Sequence, residues 1–178
     1  NVGFKKHHYH NSNKISCKMI GNDVVDLVLA QKESNWKRKG FLNKLFTTFE
    51  QDLIQKAPNQ DEMVWMLWSI KESVYKAYQR INYNEGFYPS KIEILEINSN
   101  YESIINLYGI IFYGKTIIEN KFIRTVAVLN KSALNQIEYL NIIKYKKNNN
   151  GLPIEAISKK PLSISHHGRC KEIVRISL

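Results

Sequence analysis

The chain has 178 residues, 43% hydrophobic and 11% aromatic, enough to bury one core without staples and short for two ordinary domains. Its two cysteines, Cys17 and Cys170, are far apart and in no metal-ligand spacing, which argues against a disulfide framework and favours a reducing, cytoplasmic setting. The net charge of +10 suits nucleic acid, an anionic membrane surface, a polyphosphate ligand or an acidic protein. An AT-rich coding bias would raise the same lysines, asparagines and isoleucines, so charge alone does not choose.

Residues 1–18 are polar, basic and aperiodic and are expected to form a loose extension. They lack the apolar core of a secretion signal, and no run in the chain approaches the roughly 18 apolar residues of a membrane-spanning helix. Met19, directly before the first patterned segment, is a candidate natural start. "HHYH" (His7, His8, Tyr9, His10) has no carboxylate or cysteine nearby and is not expected to hold a specific metal. "KMIGNDVVDLVLA" predicts a short buried strand that exposes Asp23 at its end, then a helix capped by Asp26. An acid there is costly unless it caps a helix, pairs with a cation or binds metal. "FLNKLFTTFEQDLIQKA" has helical spacing, with Thr47 and Glu50 in a capping box and Pro58 ending the helix.

From about Asp61, "DEMVWMLWSIKESVYKAYQR" predicts one long helix, its N-terminus favoured by Asp61 and Glu62. Val64, Leu67, Trp68, Tyr75 and Tyr78 cover more than half its circumference, as expected of a central helix packed on several sides. Between about 86 and 145, "SKIEILEI", "SIINLYGIIFY" and "KFIRTVAVL" read as antiparallel strands, with "YGKT" (113–116) as a hairpin tip and "KKNNNG" as a loop. "PLSISHHGRCKEIVRISL" reads as two strands around a turn at Gly168. The class is α+β, an antiparallel sheet packed around the long helix.

Three segments carry polar groups left over by packing: Asp23, the helix residues Lys71, Glu72 and Lys76, and "SISHHGR". Glu72 and Lys76 are four residues apart and share a face, so a solvated ion pair is their simplest reading. Trp68 on the same face argues that this face is not merely wet. Ser163, Ser165 and His166 are candidate donors to a phosphate, or ordinary polar residues of a turn. A serine hydrolase is disfavoured, because no Gly-x-Ser-x-Gly elbow occurs and Ser165 and His166, adjacent on a strand, face opposite ways.

In order, "GNDVVDL", "FLNKLFTTFE", "WSIKESVYKAY", "GLPI" and "LSISHHG" resemble the 4'-phosphopantetheinyl transferase superfamily, in its holo-(acyl-carrier-protein) synthase type, where the Asp segment leads and the Ser-His segment comes last. Asp23 and Glu72 are 49 residues apart, similar to that short type. The resemblance covers residues 19–80 and 151–169. It implies a single transferase domain over 19–178, with 86–145 as a β-rich insertion. It implies transfer of a phosphopantetheine arm from coenzyme A to a carrier-protein serine, releasing adenosine 3',5'-bisphosphate. Asp23 and Glu72 would bind Mg²⁺, which prefers carboxylates, phosphates and water. Glu72 would also take the serine proton. Lys76 would offset pyrophosphate charge, Ser165 and His166 would contact coenzyme A phosphates, Pro153 would border the nucleotide, and Lys44 is one candidate for the 3'-phosphate. An acidic apo carrier protein is the implied partner, with no nucleic acid or membrane, and a homotrimer is the assembly of short members. Two departures stand out: Val25 where the longer type has a third acid, and "GLP" where "GKP" is common, with Lys159 or Lys160 as substitutes. A non-catalytic coenzyme A or carrier-binding relative and a Mg²⁺-dependent nuclease are the other readings. The nuclease would need its acid and lysine on a strand, whereas the pattern is helical.

Overall fold

A computed structural model describes residues 19–177, so the expectations for residues 1–18, the histidine run included, lie outside the described residues. Strand β1 (Ile20–Asp26) is buried on both faces, which its unbroken run "IGNDVVD" does not announce by alternation. Three short helices follow: α1 (Leu27–Glu33), α2 (Phe41–Leu45) and α3 (Thr48–Lys56). Asp26 caps α1, accepting from Val28 N–H and Leu29 N–H. The expected capping box starts α3, with Thr47 Oγ1 accepting from Glu50 N–H and Glu50 Oε2 accepting from Thr47 N–H. Gly40, at φ 81°, sets the entry to α2, which the sequence had merged with α3.

Helix α4 (Gln60–Tyr78) begins behind an Asn59 cap and buries Val64, Leu67, Ile70, Val74 and Ala77 completely. It lies across one face of a five-stranded antiparallel sheet formed by β1 with β2 (Ile92–Ile97), β3 (Glu102–Leu107), β4 (Ile110–Glu119) and β5 (Phe122–Val128), in the order β1-β5-β4-β3-β2. Ile94, Ile105, Phe112 and Ile123 line the sheet's side of this core. The contact is closest at Gly21, where an added Cβ would stand 2.0 Å from Ser73 O and 2.5 Å from Ala77 N. Gly21→Ala is therefore expected to cost several kcal/mol, on the scale of severe overpacking, and a thermal melt close to that of the unchanged chain would refute this close fit.

The expected hairpin tip at 113–116 is not one. Tyr113 to Thr116 lie within β4, and the turns fall at Tyr108-Gly109 and Asn120-Lys121, each with two positive φ values. Such paired left-handed residues match the twist of a two-residue hairpin. Gly114 is small because its neighbour strand is close: a Cβ there would meet Ser103 Oγ at 2.4 Å. "SIINLYGIIFY" is accordingly two strands joined at Tyr108-Gly109, not one.

On the other face, a three-stranded sheet of β6 (Ile137–Tyr139), β10 (Cys170–Ile176) and β9 (Ser163–His167) covers the β1–β5 end through Ile20, Val126, Val128, Val174 and Ile176. A two-stranded hairpin, β7 (Tyr145–Lys147) with β8 (Pro153–Glu155), is pinned to the body by Arg80, which donates to Pro153 O and Leu162 O, and by Arg175, which meets Glu155.

Candidate active site

Strand β1 is an edge strand of its sheet, and alternate N–H groups on its free side need partners. They find side chains instead of a backbone ladder. Ser163 Oγ accepts from Asn22 N–H (2.8 Å), Ser165 Oγ from Val24 N–H (3.1 Å) and His167 Nδ1 from Asp26 N–H (2.9 Å). The Ser-x-Ser-x-His spacing of β9 is the period of a strand, so one face of β9 caps one edge of β1. Ser163→Ala should cost about 1–3 kcal/mol, the penalty of an orphaned buried N–H, and chemical denaturation reads it.

This packing fixes Asp23. Its Oδ1 accepts from Ser165 Oγ (3.0 Å) and from Lys76 Nζ (3.1 Å). Lys76 Nζ also donates to Asn22 O (2.9 Å) and Ser165 Oγ (3.2 Å), so all three of its protons have acceptors. Ser165 Oγ is likewise saturated, accepting twice and donating once. Helix α4 brings Glu72 into the same cleft of about 340 Å³ as Asp23. Burial, then the negative charge of Asp23, pushes the Glu72 carboxyl up to about 7, with Lys76 acting in the other direction. Two acids thus share a partly buried cleft, and the Lys76 ammonium holds one of them, Asp23.

Phe41, Trp65 and Trp68 form an apolar wall, the last edge-on to Phe87 at 5.5 Å, and Glu33 and Ser34 add polar groups from the end of α1. His166, exposed, and His167 line the rim. His167 was not singled out in the sequence, although its place two residues after Ser165 marks it as sharing that face. Its Nδ1 is taken by Asp26 N–H, and Nε2 stands 3.4 Å from Glu33. Lys44 and Pro153 do not line this cleft: Lys44 is exposed on α2, and Pro153 sits on β8 with its carbonyl held by Arg80. Lys71 turns to the opposite side of α4, where it is fully buried against Glu50 at 2.7 Å.

Asp26, next along β1 after Val25 of the cleft wall, is held at about 2 by its hydrogen bond from the Arg169 side chain, aided by the N–H groups of Arg169 and Leu29. A depressed carboxylate contributes stability above its unfolded value and loses it as pH falls through the folded one. The chain should therefore lose stability between about pH 4 and pH 2, and Asp26→Asn should flatten that part of an acid titration followed by circular dichroism. An unchanged titration would remove Asp26 from the acid response.

As a metal site, two carboxylates are a small set, and among the described residues no group of three or more His, Cys, Asp or Glu gathers. Such a pair suits Mg²⁺, which keeps several waters and substrate phosphates in its shell, and does not suit Zn²⁺. The mutual repulsion of Asp23 and Glu72 is what a divalent ion would relieve.

Residues 19–125 match the family model for the 4'-phosphopantetheinyl transferase superfamily. The chain is 33% identical over 75 residues to a holo-[acyl-carrier-protein] synthase of Verminephrobacter eiseniae, and 36% identical over 58 residues to one of Fusobacterium nucleatum. These stretches are 42% and 33% of this chain and 56% and 46% of those proteins, so the chain spans about half the length of the curated relatives it matches. Among solved structures, it is similar to holo-[acyl-carrier-protein] synthases from Neisseria meningitidis (TM-score 0.49, 17% identity, 65% of this chain and 99% of that one) and Thermotoga maritima (TM-score 0.47, 18% identity, 81% and 84%). With more than half of its length matched by the family model, this chain belongs to the 4'-phosphopantetheinyl transferase superfamily.

Proposed function

We propose that this protein transfers the 4'-phosphopantetheine arm of coenzyme A to a serine of an apo carrier protein in the cytoplasm, releasing adenosine 3',5'-bisphosphate, with Mg²⁺ as its cofactor. The observation that carries this reading is the meeting of Asp23 and Glu72 in one cleft, with Lys76 bonded to Asp23, in a chain belonging to this superfamily. The names of its curated relatives support the carrier protein as acceptor.

In the reaction, the serine oxygen forms a bond to the phosphorus nearer the pantetheine, and the bond from that phosphorus to the departing nucleotide breaks. Glu72, pushed up to about 7 in the metal-free chain by burial and by the charge of Asp23, is the carboxylate of the cleft that would take the serine proton. Asp23 and Glu72 would hold the Mg²⁺. When bound, that ion supplies Lewis-acid polarisation and offsets the charge that builds on the leaving group. Lys76 and Ser165 fix the Asp23 carboxylate, and Lys76, 28% exposed at its side chain, also presents positive charge to the pyrophosphate. Because the Ser165 hydroxyl is committed to Asp23 and Val24, Ser165 acts as a positioning residue, and His166 is the freer of the two for a coenzyme A phosphate. Lys44 and Pro153 could serve only a part of coenzyme A lying outside the cleft. The family resemblance also favours a homotrimer, which light scattering would report directly.

The deciding experiment incubates the protein with coenzyme A, Mg²⁺ and an apo acyl carrier protein and reads intact mass. A phosphopantetheine adduct that forms with Mg²⁺ and disappears with a chelator is expected. Absence of the adduct on every apo carrier tried would sink the reading.

A further inference from the structure

The hairpin β7–β8 and its flanks lie beyond the stretch that the family model matches, and they have a surface unlike the rest of the chain. Ile142 is 96% exposed and Ile157 is 86% exposed, whereas no other large apolar side chain among the described residues passes 57%. Single exposed apolar residues are ordinary, but two nearly naked isoleucines flanking one short hairpin are not. Tyr145 pairs with Glu155, and Ala156 N–H donates to Lys144 O at 2.9 Å, so Ile142 comes two residues before, and Ile157 one residue after, a backbone contact at the hairpin's open end.

Around them lie Lys144, Lys146, Lys147, Lys159 and Lys160, and none of the five makes an ion pair among the described residues. The only acid between 140 and 162 is Glu155, and its carboxylate is occupied by Arg175 and Ser158. Lys146, Lys147 and Lys159 border a hollow of about 360 Å³ with Asn148 and Ile154. Lys159 is close enough to Lys146 for the neighbouring ammonium to depress it. Arg80 holds Pro153 beside the hairpin's turn and Arg175 holds Glu155 at its open end, so these groups are presented rather than trailing.

Charge decides among the occupants. A second copy of this chain brings a net +10 and would meet the lysines with repulsion. Residues 1–18 carry Lys5, Lys6, Lys14 and Lys18 and no acid, so they do not complement the surface either. Nucleic acid would satisfy the lysines but leave both isoleucines in water. A planar bilayer reaches protruding groups better than lysines set around a hollow. A folded protein with carboxylates surrounding an apolar centre satisfies both parts, because its acids can enter the hollow while its apolar residues cover Ile142 and Ile157.

We propose that Ile142, Ile157 and the lysines of the β7–β8 hairpin form a docking surface for an acidic, apolar-centred face of a partner protein. Identifying that partner with the apo carrier rests on the transferase reading; the surface itself does not.

The test measures binding of the full chain to an acidic apo acyl carrier protein without coenzyme A, beside the double variants Ile142→Ser/Ile157→Ser and Lys146→Glu/Lys147→Glu. Each is expected to weaken binding about tenfold or more, as loss of a central anchor does. In the transfer assay the same variants should raise KM for the carrier by a similar factor and leave kcat and KM for coenzyme A unchanged. Vesicles with one-fifth anionic lipid and a 20-nucleotide duplex serve as the other occupants. Carrier affinity equal in all variants, no carrier binding by the unaltered chain, or hairpin-dependent binding of vesicles or duplex only would overturn the proposal. Carrier binding lost in the variants, with no adduct formed by the unaltered chain, would sink the transferase reading and leave the surface standing.

Discussion

Glu72→Gln is expected to lower kcat for phosphopantetheine transfer at least about a thousandfold while leaving the fold as stable as before, or more so. A lost general base alone is worth roughly 10²–10⁴ in rate, and the amide also gives up half of the proposed Mg²⁺ pair. The stability half of the prediction follows from the carboxyl being held near 7 in the folded chain, against an ordinary value of 4.5. An acid raised in the folded state is ionised at a cost to the fold, so stability falls as pH rises from about 4.5 through 7. Glutamine removes that slope, worth up to about 3 kcal/mol above pH 7. Denaturation in urea at pH 6 and pH 8, with a chelator present, reads the slope, and intact-mass kinetics read the rate. A residue that served only structure would lose stability on substitution. Asp23→Ala should likewise abolish transfer, but it frees Lys76 and Ser165, so some loss of stability should accompany it. Full activity in either variant would remove that residue from the reaction.

The opposite pattern is expected one residue earlier. Lys71→Met should destabilise the chain by about 3–5 kcal/mol, with its effect on transfer following the fraction unfolded. Burial disfavours the Lys71 ammonium, and the Glu50 carboxylate 2.7 Å away compensates. Lys71 Nζ also donates to Pro89 O (2.9 Å) and Ile92 O (2.5 Å), while Glu50 Oε1 accepts from Ile94 N–H (2.9 Å). Three segments, α3, α4 and the start of β2, are joined through two side chains that see no water. Removing one partner strands a buried charge. Replacing both, as in Glu50→Leu with Lys71→Met, should recover part of the loss, though it leaves Ile94 N–H and the end of α3 without acceptors. Urea denaturation of the two single variants and the double variant measures the coupling. Single variants that cost less than about 1 kcal/mol would show the pair to be incidental.

Glu50 illustrates what was legible and what was not. Its capping-box role follows from Thr-x-x-Glu, because both bonds are local and the spacing alone creates them. The same carboxylate also meets Lys71, 21 residues on, through Oε2 and Ile94 N–H, 44 residues on, through Oε1, contacts that no local pattern encodes. The hairpin misread at 113–116 has a similar cause. A glycine in a β-rich run marks either a turn or a close neighbour, and only the position of Ser103 on the next strand tells them apart. Likewise "SISHH" showed alternation in the sequence but not the edge of β1 that its alternate residues cap.

Short-range pattern was enough for the local devices: the Asp26 cap, the Thr47–Glu50 box, the long α4 helix with Glu72 and Lys76 on one face, and the ordered segments that resemble the superfamily. Each depends on residues within about one turn of one another, or on the order of motifs along the chain. The tertiary structure decided where the charges of that helix go. Gly21 lets β1 lie against α4, and β9 locks β1 from the other side. Asp23 is thereby brought to Lys76, 53 residues away, while Lys71 is turned into the core. Burial then separates three neighbouring charges into a structural lysine, a carboxyl near neutrality and an ammonium that holds an aspartate, because each meets a different partner at a different distance from water.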